Sequence, residues 1–238
     1  MPNTWFQFKK FRINQDKSAM KVTTDACLFG AWMADKIEKK IIQPASILDI
    51  GAGTGLLSLM VAQKSSSEID AIEIDEKAYL QTKRNFTESR YSNRLQAFNA
   101  DVKDWNSGKK YDLIICNPPF FENDLKSANR NKNLAKHHDG LTLKELLYSI
   151  KNSLAHDGNF SVLLPFHRMT YFKELANENH FYLKEELLAR QTPAHSHFRA
   201  LLLYGTNDAP YVSNELTIKD EDGKYSEAFD FLLKDYYL

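Results

Sequence analysis

No stretch of this 238-residue chain approaches the ~18 to 20 consecutive apolar residues needed to cross a bilayer. Its opening, MPNTWFQFKKF, also lacks the apolar run of a secretory signal, so an intracellular, cytoplasmic protein with no membrane partner is expected. Cysteine is scarce. Cys27 and Cys116 form no CxxC or Cys/His ligand spacing, which points away from a disulfide framework and from a metal site. Net charge is missing too: 31 Lys and Arg balance 31 Asp and Glu, and a uniformly basic nucleic-acid coat is excluded. There is no internal repeat, and no low-complexity segment beyond the SSS at Ser65 to Ser67.

What is present suits a globular core, with 43% apolar and 26% charged residues in a length that fits one large domain. Charge is unevenly placed. Residues 1–45 carry eight basic groups against four acidic, and residues 208–238 carry eight acidic against three basic. A neutral total therefore leaves room for a local basic face, although two ordinary solvated surfaces explain the same pattern.

From residue 47 onward short aliphatic runs alternate with helical patterns: SILDI, LLSLMVAQ, EIDAIEI, EKAYLQTKRNF. This is the mark of βαβ units around a parallel sheet. RLQAF, YDLIIC, NFSVLLP, FYLKEELLA and FRALLLY supply further strands, and LTLKELLYSIKNSL a helix expected to end near Asp157-Gly158. Only Gln191 to Ser196 separate the last two runs, too little for a crossover helix, so they should pair as an antiparallel hairpin. The expected fold is α/β, a mostly parallel sheet of seven strands closing in that hairpin.

DIGAGTG, Asp49 to Gly55, follows a strand and opens a helix, so its backbone N–H groups can approach a ligand closely. The spacing is GxGxG rather than the GxGxxG that seats a dinucleotide pyrophosphate. Glu73, eighteen residues after Gly55, ends the second strand, where a carboxylate can accept both hydroxyls of a ribose; Asp101 follows the third strand run at the same edge. Each feature alone is also an ordinary tight turn or solvated strand end. Three in register describe a nucleoside-shaped site, and S-adenosylmethionine suits it because a sulfonium and ribose hydroxyls match carboxylates and leave no phosphate to cradle.

Asn117-Pro118-Pro119-Phe120 ends the YDLIIC strand, which neighbours the glycine loop in a doubly wound order. A conjugated exocyclic amine is a poor nucleophile because its lone pair is delocalised. The Asn117 side-chain oxygen and the Pro118 carbonyl can each accept one amine hydrogen and favour a pyramidal nitrogen, Pro118 and Pro119 fix the backbone, and Phe120 offers a ring for stacking. A strand end with two core phenylalanines is the competing reading.

These residues resemble a class I S-adenosylmethionine-dependent methyltransferase with the NPP(F/Y) signature of amino-group N-methyltransferases. FRINQDKSAMKVTTDACLFGAW before the glycine loop and the closing LTIKDEDGKYSEAFDFLLKDYYL narrow the likeness to the bacterial tRNA1(Val) adenosine-37 N6-methyltransferase family, over nearly the whole chain. The resemblance implies a Rossmann-like class I fold, methyl transfer from S-adenosylmethionine to N6 of an adenosine in a tRNA anticodon loop, and no metal. Asp49, Gly51, Gly53 and Gly55 would line the cofactor pocket, Glu73 would bind the ribose and Asp101 would lie near the adenine. Lys21, Thr24 and Asp25 would cover the methionine end, and Asn117 to Phe120 would hold the target. Residues 1–45 are expected to form an extension covering the cofactor site, 46–238 the methyltransferase domain, and the chain to act as a monomer. DNA or rRNA adenine, or a protein glutamine amide, are the alternative substrates, and a nucleotide-binding module without catalysis is the reading from another class.

Other residues have competing roles. His137 and His138, with Lys126, Arg130, Lys132 and Lys136, are candidates for tRNA backbone contact or an ordinary surface loop. His195 and His197, with Arg190 and Arg199, are candidates for a basic strip. Trp5, Phe6, Phe8 and Phe11 are candidates for stacking on loop bases or for packing over the cofactor site. The turn TPAHSHFR departs from the proline- and lysine-rich turn expected of relatives.

Overall fold

The computed structural model describes residues 3–17, 21–118 and 140–238. Strands β1 (Trp5–Gln7) and β2 (Arg12–Asn14) form a small antiparallel pair. Helix α1 (Thr24–Glu38) is buried along the whole run Ala26 to Ala34, the property of a helix enclosed on several sides. There follow β3 (Ser46–Ile50), α2 (Leu56–Ala62), β4 (Glu68–Glu73), α3 (Glu76–Thr87), β5 (Leu95–Asn99) and β6 (Tyr111–Cys116). The remainder comprises α4 (Leu143–Ser153), β7 (Leu154–Pro165), α5 (Met169–Glu178), β8 (Tyr182–Arg190), β9 (His197–Gly205), β10 (Val212–Thr217) and α6 (Glu227–Leu233).

The main sheet runs in the order β10-β8-β9-β7-β6-β3-β4-β5. All neighbours pair parallel except β9, which is antiparallel to both β7 and β8. Side chains alternate between two apolar layers: Ile47, Leu113, Ile115 and Leu201 face α1 and α2, whereas Leu48, Ile114, Cys116 and Leu202 face α4 and α5. Phe8, Phe11 and Ile13 of the N-terminal segment belong to the first layer, so residues before β3 share the core of the sheet.

The hairpin expected across residues 191–196 is present. Two expectations are corrected. The sheet has an eighth strand, because β10 adds parallel to β8. Helix α4, started by a capping box between Thr142 and Glu145, ends at Ser153 rather than near Gly158. Leu154 is already extended and pairs with Tyr111, while Leu113 pairs with Asn159, so residues between them bulge out of the ladder. Gly158 does not adopt the left-handed conformation; a Cβ there would lie 2.8 Å from Leu154 Cγ.

The carboxyl ends of β3 to β8 and the start of β9 share one edge of the sheet. That edge carries the site.

Candidate active site

The turn after β3 reverses with positive φ at Gly51 (72°), Gly53 (60°) and Gly55 (77°), a region that side chains resist. The three differ in what they face. A Cβ on Gly51 or Gly53 would meet nothing within 4 Å, whereas one on Gly55 would sit 2.6 Å from Phe86 Cε1. The first two thus leave open space for a ligand, and the third allows α3 to close against the loop.

Backbone and side chains hold that turn from outside. Gly51 N and Ala52 N both donate to Ile72 O, at 2.9 and 3.0 Å. Gly53 N donates to Glu73 Oε2 at 2.8 Å, and Asp75 N to Glu73 Oε1 at 2.9 Å, so the β4 carboxylate spans the loop and the start of α3. Each of its oxygens retains a lone pair for a further donor. Thr82 Oγ1 donates to Gly53 O (2.9 Å) and Asn85 Nδ2 to Thr54 O (2.8 Å).

Asp49 is fully buried beneath the turn. Its Oδ2 accepts from Ser58 Oγ at 2.6 Å and from Ser58 N at 3.2 Å, while Oδ1 has no partner among the described residues. Burial pushes this carboxyl from 3.8 up to about 6, against the pull of the Ser58 hydrogen bonds and with added repulsion from Glu73. Asp101, at the next strand end, accepts from Lys103 N at 2.9 Å, with Lys103 Nζ 3.4 Å from its other oxygen.

Ile50 and Cys116 are register partners, so Asn117 and Pro118 emerge directly beside Gly51. The Cys116 thiol is held well above its ordinary range by burial and by Asp49 and Glu73. Asn117 Oδ1 is buried and has no hydrogen-bond partner among the described residues. Leaving such an oxygen unpaired costs about 1–3 kcal/mol, a cost an incoming N–H donor would remove. Pro119 and Phe120 lie outside the described residues, as do His137, His138, Lys126, Arg130, Lys132 and Lys136.

The N-terminal segment crosses this edge. Lys21 Nζ donates to Gln15 O, and Val22 N to Gln15 Oε1 at 2.8 Å. Thr24 lines a cavity of about 340 Å³ with Phe6, Tyr225 and Tyr237. Asp25, in the first turn of α1, accepts Arg199 Nε at 2.7 Å.

This architecture coincides with known proteins. The model of the methyltransferase small domain family matches residues 29–166. A tRNA1(Val) (adenine(37)-N6)-methyltransferase of Parabacteroides distasonis is 39% identical over 241 aligned positions, covering 100% of this chain and 99% of that protein. The chain belongs to the tRNA1(Val) (adenine(37)-N6)-methyltransferase family.

Solved structures agree on the fold of this family member. An Agrobacterium tumefaciens protein described as a predicted O-methyltransferase superposes with TM-score 0.68 at 16% identity, covering 89% of this chain and 96% of that one. A class I S-adenosylmethionine-dependent methyltransferase candidate of Listeria monocytogenes gives TM-score 0.61 at 11% identity, covering 83% and 68%. The methyl donor of the family, S-adenosylmethionine, fits the residues present: an open glycine turn, the Glu73 carboxylate with lone pairs to spare, and two buried oxygens, Asp49 Oδ1 and Asn117 Oδ1, without a partner among the described residues. Among the described residues no group of His, Cys, Asp and Glu is arranged to hold a metal, and no helix is long and apolar enough to cross a membrane.

The competing readings of the aromatic and basic residues are narrowed. Phe8 and Phe11 are buried, so they pack rather than meet bases; Trp5 is exposed, with the Arg12 guanidinium 4.4 Å above its ring. The basic strip is not a strip of unopposed charge. Arg190 pairs with Glu215, Arg199 with Asp25, and His197 Nε2 lies 3.0 Å from Arg190 Nη2.

Sequence reasoning missed the polar stripe of α3. Asn85, 1% exposed, donates to Asn14 O (2.9 Å) and Thr54 O (2.8 Å) and accepts from Asn14 N (2.9 Å); Gln81 Oε1 accepts from Lys17 N (3.0 Å). One carboxamide therefore joins β2 to the glycine turn. The signal was legible: Ala78, Gln81, Thr82, Asn85 and Phe86 form one helical face, and three of these five inward positions are polar.

Proposed function

We propose that this chain transfers a methyl group from S-adenosylmethionine to N6 of an adenosine in a tRNA anticodon loop, position 37 of tRNA1(Val), acting as a monomer in the cytoplasm. The observation that carries this reading is the buried Asn117 Oδ1, without a partner among the described residues, standing beside the glycine cradle. The bound donor supplies an electrophilic methyl on a sulfonium. Asn117 Oδ1 accepts one hydrogen of the adenine amine and Pro118 O the other, concentrating the nitrogen lone pair and stabilising positive charge as it develops there. Pro118 fixes its own backbone before the substrate arrives; the sequence motif assigns stacking on the base to Phe120, which with Pro119 lies outside the described residues. After transfer the surplus proton leaves to water or to Asn117.

In this reading Asp49, Gly51, Gly53 and Gly55 form the cradle, Glu73 takes the ribose hydroxyls and Asp101 faces the cofactor adenine. Residues 1–45 roof the site, with Lys21, Thr24 and Asp25 over the methionine end. A loop nucleotide suits such a site because its base can enter without a duplex being opened.

The test is incubation with labelled donor and tRNA lacking the modification, followed by digestion to nucleosides, alongside DNA, rRNA and release-factor substrates. The expected product is N6-methyladenosine from tRNA1(Val). Transfer only to another member of the panel would overturn the substrate assignment, and light scattering should give a species of about 27.5 kDa.

A further inference from the structure

Beyond β6 the same edge of the sheet continues into a ledge that no step of the transfer employs. It begins one strand away, where β7 ends at Pro165 and the turn Phe166–Arg168 leads into α5. It continues through the start of β9 to the exposed turn at residues 191–196, two to three strand spacings from Asn117, about 10–15 Å at ~4.8 Å per strand.

Flat and ring-bearing groups predominate there. The Phe166 and His197 rings lie 5.2 Å apart, and Arg168 sits 5.8 Å from the ring of Tyr171, which is 40% exposed. The turn is held in shape before any partner arrives: His195 N donates to Thr192 O at 3.0 Å, and His195 Nδ1 lies 2.7 Å from Thr192 Oγ1. The arginines beneath it are opposed by carboxylates, Arg190 by Glu215 and Arg199 by Asp25. Those two arginines are therefore poorly placed to gather phosphates. The ledge is suited to unstacked bases, which RNA loops present and which bind aromatic, histidine and guanidinium planes.

We propose that this ledge of Phe166, Arg168, Tyr171 and His197 carries the RNA nucleotides flanking the methylated adenosine, holding them by stacking rather than by phosphate neutralisation. The proposal rests on the tRNA reading above and assigns the part of the surface that receives the rest of the loop.

The test compares the full-length protein with Tyr171→Ala, Tyr171→Phe and Phe166→Leu, measuring KM for tRNA, kcat, donor affinity and the salt dependence of tRNA binding. Loss of one stacking contact should raise KM for tRNA by about five- to a hundred-fold in Tyr171→Ala. Phe166→Leu should shift KM in the same direction, and Tyr171→Phe should stay within about twofold of wild type. Donor affinity and kcat should be preserved, and the slope of log affinity against log salt should not change. A slope reduced by about one would show a phosphate contact and overturn the stacking assignment. If wild type methylates tRNA while Tyr171→Ala and Phe166→Leu keep its KM, the ledge is refuted and the activity stands. Should wild type methylate no tRNA, the activity reading falls, and direct tRNA binding decides the ledge: equal affinities of wild type and Tyr171→Ala refute it, and a Tyr171-dependent affinity supports it.

Discussion

Replacing Asp49 by Asn tests the electrostatics of the cofactor cradle. In the fold this carboxyl is fully buried and raised from 3.8 to about 6, with Ser58 as its partner and Glu73 nearby. At about 1.4 kcal/mol per tenfold change, that rise corresponds to roughly 3 kcal/mol of stability. The sign follows from the direction. A carboxyl whose folded-state value lies above its unfolded one favours the fold fully below about 4, and that advantage is lost as pH rises through about 6. An asparagine keeps an acceptor for Ser58 but does not titrate, and any cost of burying its amide is constant with pH. The stability of Asp49→Asn minus that of wild type should therefore increase by about 2.5 kcal/mol between pH 4 and pH 7.5, whatever its absolute value. Urea unfolding of both proteins across that range, without ligand, measures it. A difference constant within about 1 kcal/mol would refute the claim that this buried carboxylate is held charged at a cost to the fold. The same substitution should weaken donor binding at pH 7.5 by at least about tenfold, because a neutral amide replaces the oxygen left for a cationic ligand.

Two further outcomes are expected. Asn117→Ala should keep donor affinity within about threefold by calorimetry while kcat falls by about 10²–10³, the range for loss of one preorganised electrostatic partner; retention of a tenth or more of wild-type kcat would refute its role as acceptor. Asn85→Ala removes three hydrogen bonds at a buried position, so unfolding free energy should drop by about 3 kcal/mol, and donor affinity should fall because Thr54 O loses its tether; an unchanged donor affinity in a folded variant would show that the turn holds its shape alone.

The parts of the fold legible in the sequence are those whose pattern is local. SILDI, EIDAIE and YDLIIC are buried over most of their length and read as short aliphatic runs broken by single acidic residues, and the glycine turn shows its spacing directly. Strand β10 hid because Val212 to Glu215 are exposed and only Leu216 is fully buried, leaving no alternation to see. Its position is set by pairing with β8. The end of α4 was misplaced for a similar reason: Leu154 joins the ladder opposite Tyr111, and that tertiary pairing overrides the helical pattern running on towards Asp157. At the site, the acids and glycines announced themselves by residue type. The supports from α3 did not, since Gln81, Thr82 and Asn85 look like an exposed polar helix until its register is counted.

The carboxamide of Asn85 has a bearing on how relatives of this protein can be recombined. Residues 3–17 are not a detachable arm, because their backbone is read by a helix that begins about sixty residues later and the same side chain steadies the glycine turn. A chimera that imports a foreign leading segment must import the matching helix with it. Otherwise the mismatch will surface as looser cofactor retention, far from the graft in sequence and only one side chain away in space.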